Sequence, residues 1–198
     1  MIAPSIEKAE PVGLTRHRFT MSEYQRMAEV GLLTESDRVE LIGGEIVEMS
    51  PINVTHVNCV NRLTAILSAK LSGLAIVSIQ NPIQIDDYSV PQPDVALWKP
   101  NPDAYLDRLA GSNDILLIIE VADSSLDNDR RVKSQLYAQA GIADYWIVNL
   151  LQQQIEVYRE PREDGYRTTT RYAPGETISL PTFPDVTLNV DEILGTGS

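Results

Sequence analysis

Pro91-Gln92-Pro93-Asp94-Val95 and Ile115-Leu116-Leu117-Ile118-Ile119-Glu120-Val121 are the two runs on which the fold of this chain turns. The second is apolar without a break until Glu120. A run of that length suits a strand buried on both faces rather than an alternating surface strand. The first sets an acid directly after a proline, at the head of another strand, Asp94 to Trp98. A buried carboxylate is costly unless it is paired or metal-bound. Two carboxylates converging from adjacent strands repel, and a divalent cation relieves that repulsion. Oxygen donors favour Mg²⁺ or Mn²⁺ over zinc. An amphipathic helix follows over Asp127 to Ala140, with Val132, Leu136 and Ala140 on its apolar side. It carries Asp129 and Lys133. A lysine beside a phosphate can stabilise developing negative charge or orient a water.

Each of these residues also has an ordinary reading. Asp94 can form a turn, Glu120 can end a strand in solvent, and Asp129 can interact with its helix dipole. Lys133, judged by spacing alone, is a solvated helix lysine. The order of the surrounding elements gives the set its weight. Upstream, Asn53 to Leu71 is the longest helical pattern, with Val60, Leu63, Leu67 and Leu71 as its stripe. Leu74 to Ile79 reads as a strand. Pro82 to Asp86 is expected to pair with Asp94 to Trp98 across an Asp86-Asp87-Tyr88-Ser89 turn. Pro100 to Ser112 is a polar loop. Downstream, Tyr145 to Asn149 is another buried strand. Helix, strand, strand pair, strand, helix, strand makes an α/β fold with a mixed central sheet. There is no Gly-x-Gly-x-x-Gly turn and no Gly-Lys-Ser/Thr phosphate loop.

Outside that core, Thr20 to Val30 reads as a short helix with a Thr20/Glu23 capping box. Val39 to Ile42 and Glu45 to Met49 flank Gly43-Gly44, the signal of a two-residue hairpin. In its first arm Val39 and Leu41 face one way, and Glu40 and Ile42 the other. Glu40 by itself reads as an outward-facing strand acid. At the other end, Ile155 to Arg159, Tyr166 to Tyr172, Thr177 to Leu180 and Val186 to Val190 read as antiparallel strands, at a sheet edge or as a small flanking sheet. Residues 1–18 read as a flexible leader without the apolar stretch of a secretory signal. Residues 19–194 read as one domain.

The chain has 198 residues, 43% hydrophobic, enough for a real core and too many for wholesale disorder. No apolar run is long enough to span a membrane. A single cysteine, Cys59, excludes an internal disulfide and a cysteine-only zinc site, and fits a cytoplasmic location. It lies close to His56 on one helix, too local for a protease pair, and reads as packing. The formal charge of −12 argues against a protein that coats nucleic acid non-specifically, but not against a nuclease whose acids hold metal. His56, at the start of the long helix, can serve as ligand or base or be structural. Tyr137, Tyr145 and Trp146 read as core.

Three ordered motifs resemble one family. They are Glu40-Leu41-Ile42-Gly43-Gly44-Glu45-Ile46-Val47-Glu48-Met49-Ser50-Pro51, then Pro91-Gln92-Pro93-Asp94-Val95, then Ile118-Ile119-Glu120-Val121-Ala122-Asp123-Ser124-Ser125-Leu126 running on to Asp129-Arg130, Lys133 and Tyr145-Trp146-Ile147-Val148. Together they look like the Uma2 family of restriction-endonuclease-like proteins, similar to the PD-(D/E)xK nuclease superfamily, over roughly residues 19 to 194. The resemblance implies a restriction-endonuclease-like αβββαβ core with a mixed central sheet, an N-terminal helix and hairpin, and extra C-terminal antiparallel strands. It implies phosphodiester hydrolysis of DNA with Mg²⁺ or Mn²⁺, Asp94 and Glu120 holding the ion, His56 joining as a ligand, and Glu40 drawn into the site. It also suggests a homodimer that cuts both strands. One position departs from the pattern. Ala122 stands where the superfamily has its lysine, and the resemblance suggests that Lys133 supplies the amine from the next helix. The alternative is a catalytically weak or inactive nuclease-fold module that binds nucleic acid or protein, which the acidic balance and Ala122 favour. A third reading is a metal-dependent hydrolase acting on something other than DNA.

Overall fold

A computed structural model of the chain describes residues 15–34, 36–102 and 105–196. Most of the expected leader, residues 1–14, lies outside them. The fold is built on a six-stranded sheet. Its strands, in spatial order, are β3 (Ile76–Ile79), β4 (Val95–Trp98), β5 (Ile115–Ala122), β6 (Asp144–Asn149), β7 (Gln154–Arg162) and β8 (Gly165–Tyr172). Only β5 and β6 run parallel; the other neighbours are antiparallel. This is the mixed sheet expected from sequence. The helix between β5 and β6 serves as the crossover that a parallel pair requires.

β5 lies at the centre and is buried on both faces. Leu117, Ile119 and Val121 join one apolar cluster, while Ile118 and Ala122 join the other. The first cluster is covered by α2 (Val54–Lys70), whose Val60, Leu63 and Leu67 are buried together with Leu71 just beyond it. Burying each such leucine stabilises the fold by about 2 kcal/mol. A separate two-stranded sheet, β9 (Thr177–Leu180) with β10 (Phe183–Asn189), closes the same side, followed by a short helix, α5 (Val190–Leu194). The C-terminal strands therefore do both things expected of them: β7 and β8 extend the sheet, and β9 and β10 flank it. The helix over Val190–Leu194 was not expected.

At the N-terminal end, α1 (Met21–Glu29) carries the anticipated capping box between Thr20 and Glu23. β1 (Val39–Ile42) and β2 (Glu45–Glu48) form the hairpin, with Ile42 paired to Glu45. Gly43 and Gly44 have φ of 59° and 84°, the left-handed pair that a tight hairpin turn demands. Gly44 is doubly constrained, because a Cβ there would lie 2.6 Å from Arg18 Cβ.

Two expectations need correction. Pro82 to Asp86 is not a ladder strand. It makes only isolated bridges, Gln84 to Gly111 and Asp86 to Ser89. Pro82, Pro91 and Pro93 supply no N–H for a ladder, and β3 occupies the edge of β4 that this segment was expected to take. The helix over Asp127 to Ala140 is also not uniform. It runs as α3 (Leu126–Asn128), one π-helical turn (Asp129–Lys133) and α4 (Ser134–Gln139). The wider turn shifts the helix phase. Val132, expected to face the core, is 44% exposed, while Asp129, Lys133 and Tyr137 point inward.

Candidate active site

The alternation of β5 puts Glu120 on the same face as Ile118 and Ala122, beneath the π turn. Its carboxylate is 3% exposed. Lys133 Nζ donates to Glu120 Oε1 at 3.0 Å and also lies 3.3 Å from Glu40 Oε1. Tyr137, one turn further on, donates its hydroxyl to the same Glu120 oxygen at 3.0 Å. Glu120 Oε2 faces the backbone N–H of Asp94 at 3.4 Å. The amine that reaches Glu120 is therefore Lys133, from the following helix, and Ala122 is buried core.

Asp94 sits where the chain enters β4. Its Oδ2 accepts the Val121 N–H at 2.9 Å and lies 3.0 Å from His56 Nε2. Its Oδ1 accepts Gln80 Nε2 at 3.2 Å. Gln80 has a φ of 50°, a left-handed value uncommon outside glycine, at the end of β3. Burial works against the charge of Asp94, but His56, the Val121 N–H and Gln80 together hold its carboxyl below the usual range.

His56 is placed by the start of α2. Asn53 caps the helix through the His56 N–H, and its amide also reaches Asp123 just beyond β5. The N-terminus of α2 is thereby tied to the strand that carries Glu120. His56 Nε2 faces Asp94, while its Nδ1 is buried and, among the described residues, has no hydrogen-bond partner. Glu40, read in isolation as an outward acid, is 3% exposed. Its Oε2 accepts the Gln92 N–H at 3.1 Å, which docks the hairpin against the segment leading to Asp94. All five expected site residues, Glu40, His56, Asp94, Glu120 and Lys133, line one cleft of about 290 Å³.

The π turn contributes a further acid. Asp129 is 2% exposed, and Ser125 Oγ donates to it at 2.6 Å. The turn is closed by the Ser134 N–H bonding to the Asp129 carbonyl, which Tyr145 also engages at 3.1 Å. The site therefore sets Glu40, Glu120 and Asp129 around the Lys133 amine, with Asp94 beside them against His56. Burial pushes the Glu120 carboxyl up; Lys133 opposes this, while Asp129, Asp94 and Glu40 reinforce it. Burial likewise raises Asp129 against the pull of Lys133. Burial also works against the charge on Lys133, but Glu120, Glu40 and Asp129 hold its amine above the usual range.

More acid than base, all of it hard oxygen donors, fits a divalent cation of the Mg²⁺ class. Among the described residues no three His, Cys, Asp or Glu side chains form a ready coordination group. Asp94, Glu120 and His56 instead meet through hydrogen bonds, with Lys133 and Tyr137 on Glu120 and His56 on Asp94. Sequence reasoning missed Tyr137, Gln80, Gln92 and the inward turn of Asp129. Tyr137 was within reach, because it stands four positions after Lys133 on one helix face.

The family model described as "Uma2: Putative restriction endonuclease" matches residues 21–191. The chain belongs to the Uma2 family. No curated protein matches it significantly. Among solved structures, this Uma2 chain is similar to a putative nuclease belonging to DUF820 from Anabaena variabilis, with a TM-score of 0.69 and 14% sequence identity over 89% of this chain and 98% of that one. At that identity the likeness shows a shared fold. The Uma2 match contains Glu40, His56, Asp94, Glu120 and Lys133. No helix among the described residues is long and apolar enough to cross a membrane.

Proposed function

We propose that this protein is a Mg²⁺- or Mn²⁺-dependent endonuclease that hydrolyses phosphodiester bonds in DNA. The observation that carries the reading is Lys133 Nζ at 3.0 Å from Glu120, beside Asp94, in an open cleft where carboxylates outnumber amines. Asp94 and Glu120 would hold the ion, with His56 beside Asp94 as its orienting partner or as a further ligand. A bound divalent ion lowers the pKa of a coordinated water and polarises the phosphate. Lys133 would sit beside the attacking water or the developing negative charge, which its amine can stabilise. Glu40 and Tyr137 fix the partners of that amine, Glu40 from the hairpin and Tyr137 through Glu120. Family membership supports DNA as the substrate. The single cysteine supports a reducing, cytoplasmic setting. Cutting both strands would be served by a homodimer.

The test is cleavage of supercoiled plasmid in Mg²⁺ or Mn²⁺ by the wild type and by Asp94→Ala. The wild type should nick and linearise the plasmid, and the variant should not. Equal cutting by both would assign the activity to another site or to a contaminant.

A further inference from the structure

A cleft lined by six carboxylates in a protein of charge −12 repels the polyanion it is proposed to cut. Something on its wall has to receive a phosphate before the acids come near it. Of the residues lining the cleft, only Lys133 and Arg38 carry a permanent positive charge. Lys133 is committed to Glu120 and Glu40. Arg38 is exposed and, among the described residues, its side chain makes no ion pair or hydrogen bond.

Its position is set by the hairpin. Arg38 directly precedes β1, and its carbonyl still accepts the Met49 N–H at 2.8 Å, so the paired geometry extends to it. It stands two positions before Glu40. Side chains two apart leave a strand on the same face, about 7 Å apart along it. One face of the hairpin thus carries Glu40 down onto Lys133 and Arg38 towards the outer part of the same cleft. Glu48 also lines the cleft, but it does not neutralise Arg38 with an ion pair. A guanidinium left free among acids is suited to bind a phosphate bidentately.

We propose that Arg38 is a substrate-positioning residue that binds a backbone phosphate next to the one hydrolysed. The inference rests on the nuclease reading. Phosphate contacts of this kind set register and orientation and carry no base information. Arg38 would therefore strengthen binding of all sequences alike.

The experiment measures binding of a short fluorescein-labelled duplex by anisotropy across a salt series in Ca²⁺, and steady-state cleavage in Mg²⁺. It compares wild type, Arg38→Ala, Arg38→Lys and, as a control, Arg162→Ala, an exposed arginine on the β7–β8 hairpin. Arg38→Ala should weaken binding about tenfold and lower the salt slope by about one. It should raise KM while leaving kcat within about twofold. Arg38→Lys should recover only part of the loss, because an ammonium keeps the charge but not the bidentate fork, and Arg162→Ala should match the wild type. If the wild type binds and cleaves but Arg38→Ala is indistinguishable from it in salt slope and KM, the role of Arg38 is overturned while the nuclease reading stands. If the wild type neither binds nor cleaves, the nuclease reading fails and takes this inference with it.

Discussion

The π turn between β5 and β6 sends two cations in different directions, and their fates differ. Arg130 reaches Glu156 on β7, and Lys133 reaches Glu120 on β5. The two acids lie in one row across the sheet, with Ile147 of β6 registered against both. Glu156 is fully buried and satisfied. Arg130 grips both of its oxygens, Nε at 3.0 Å on Oε2, and Tyr158, Asn149 and Gln154 complete its shell. Although burial opposes its charge, these partners bring Glu156 down to about 2. Glu120 is also buried and has a direct lysine partner, yet burial pushes its carboxyl up, and Asp129, Asp94 and Glu40 reinforce this against the pull of Lys133. A balanced pair fixes structure. An unbalanced cluster open to a cleft is suited to a further positive charge.

That contrast can be broken in several ways. The largest effect is expected at the unbalanced end. Glu120→Gln should lower cleavage about 10³-fold, equivalent to about 4 kcal/mol of transition-state stabilisation. Its melting temperature should be unchanged or raised, since an excess charge is removed. A large fall in stability would mean that Glu120 is structural.

At the balanced end the pattern should reverse. Arg130→Met leaves Glu156 buried without its cation and should cost about 3 kcal/mol in denaturant unfolding. A cost near zero would show that the pair is dispensable.

The pH dependence sharpens the same point. Glu156 has a folded pKa of about 2 against an ordinary 4.5. Its contribution is full above pH 4.5 and is lost as the pH falls towards 2. The shift corresponds to about 3 kcal/mol before allowance for partial solvation. Stability of the wild type should therefore fall over that window, and Glu156→Gln should flatten the curve there. Parallel curves would contradict the assignment.

The smallest effect is expected at Tyr137. Removing its hydroxyl in Tyr137→Phe deletes one donor to Glu120 and should cost about 1 kcal/mol, read as a shift of a few degrees in melting temperature.

Much of this architecture was legible in the sequence. The unbroken apolar run before Glu120, the stripe of α2 and the Gly43-Gly44 turn are local patterns whose periodicity dictates burial. Asp94, Glu120 and Lys133 stood out as acids and an amine beside such elements. Glu40 did not, because alternation alone cannot tell an outward face from one that meets a lysine far along the chain. The π turn was not legible either. Nothing local in Asp129-Arg130-Arg131-Val132-Lys133 announces an i to i+5 bond, and the ordinary helical period put Val132 inward and Lys133 outward. Pro82 to Asp86 failed for a further reason. Prolines on the facing segment deny it a ladder.

The proposed role of the charge imbalance around Glu120 is to hold a divalent ion. The most direct test is calorimetric titration of Mn²⁺ into the wild type and into Asp94→Asn, with thermal melts confirming that both are folded. One ion per chain should bind to the wild type, and the variant should lose that binding. Equal binding by both proteins, or none by the wild type, would contradict that role.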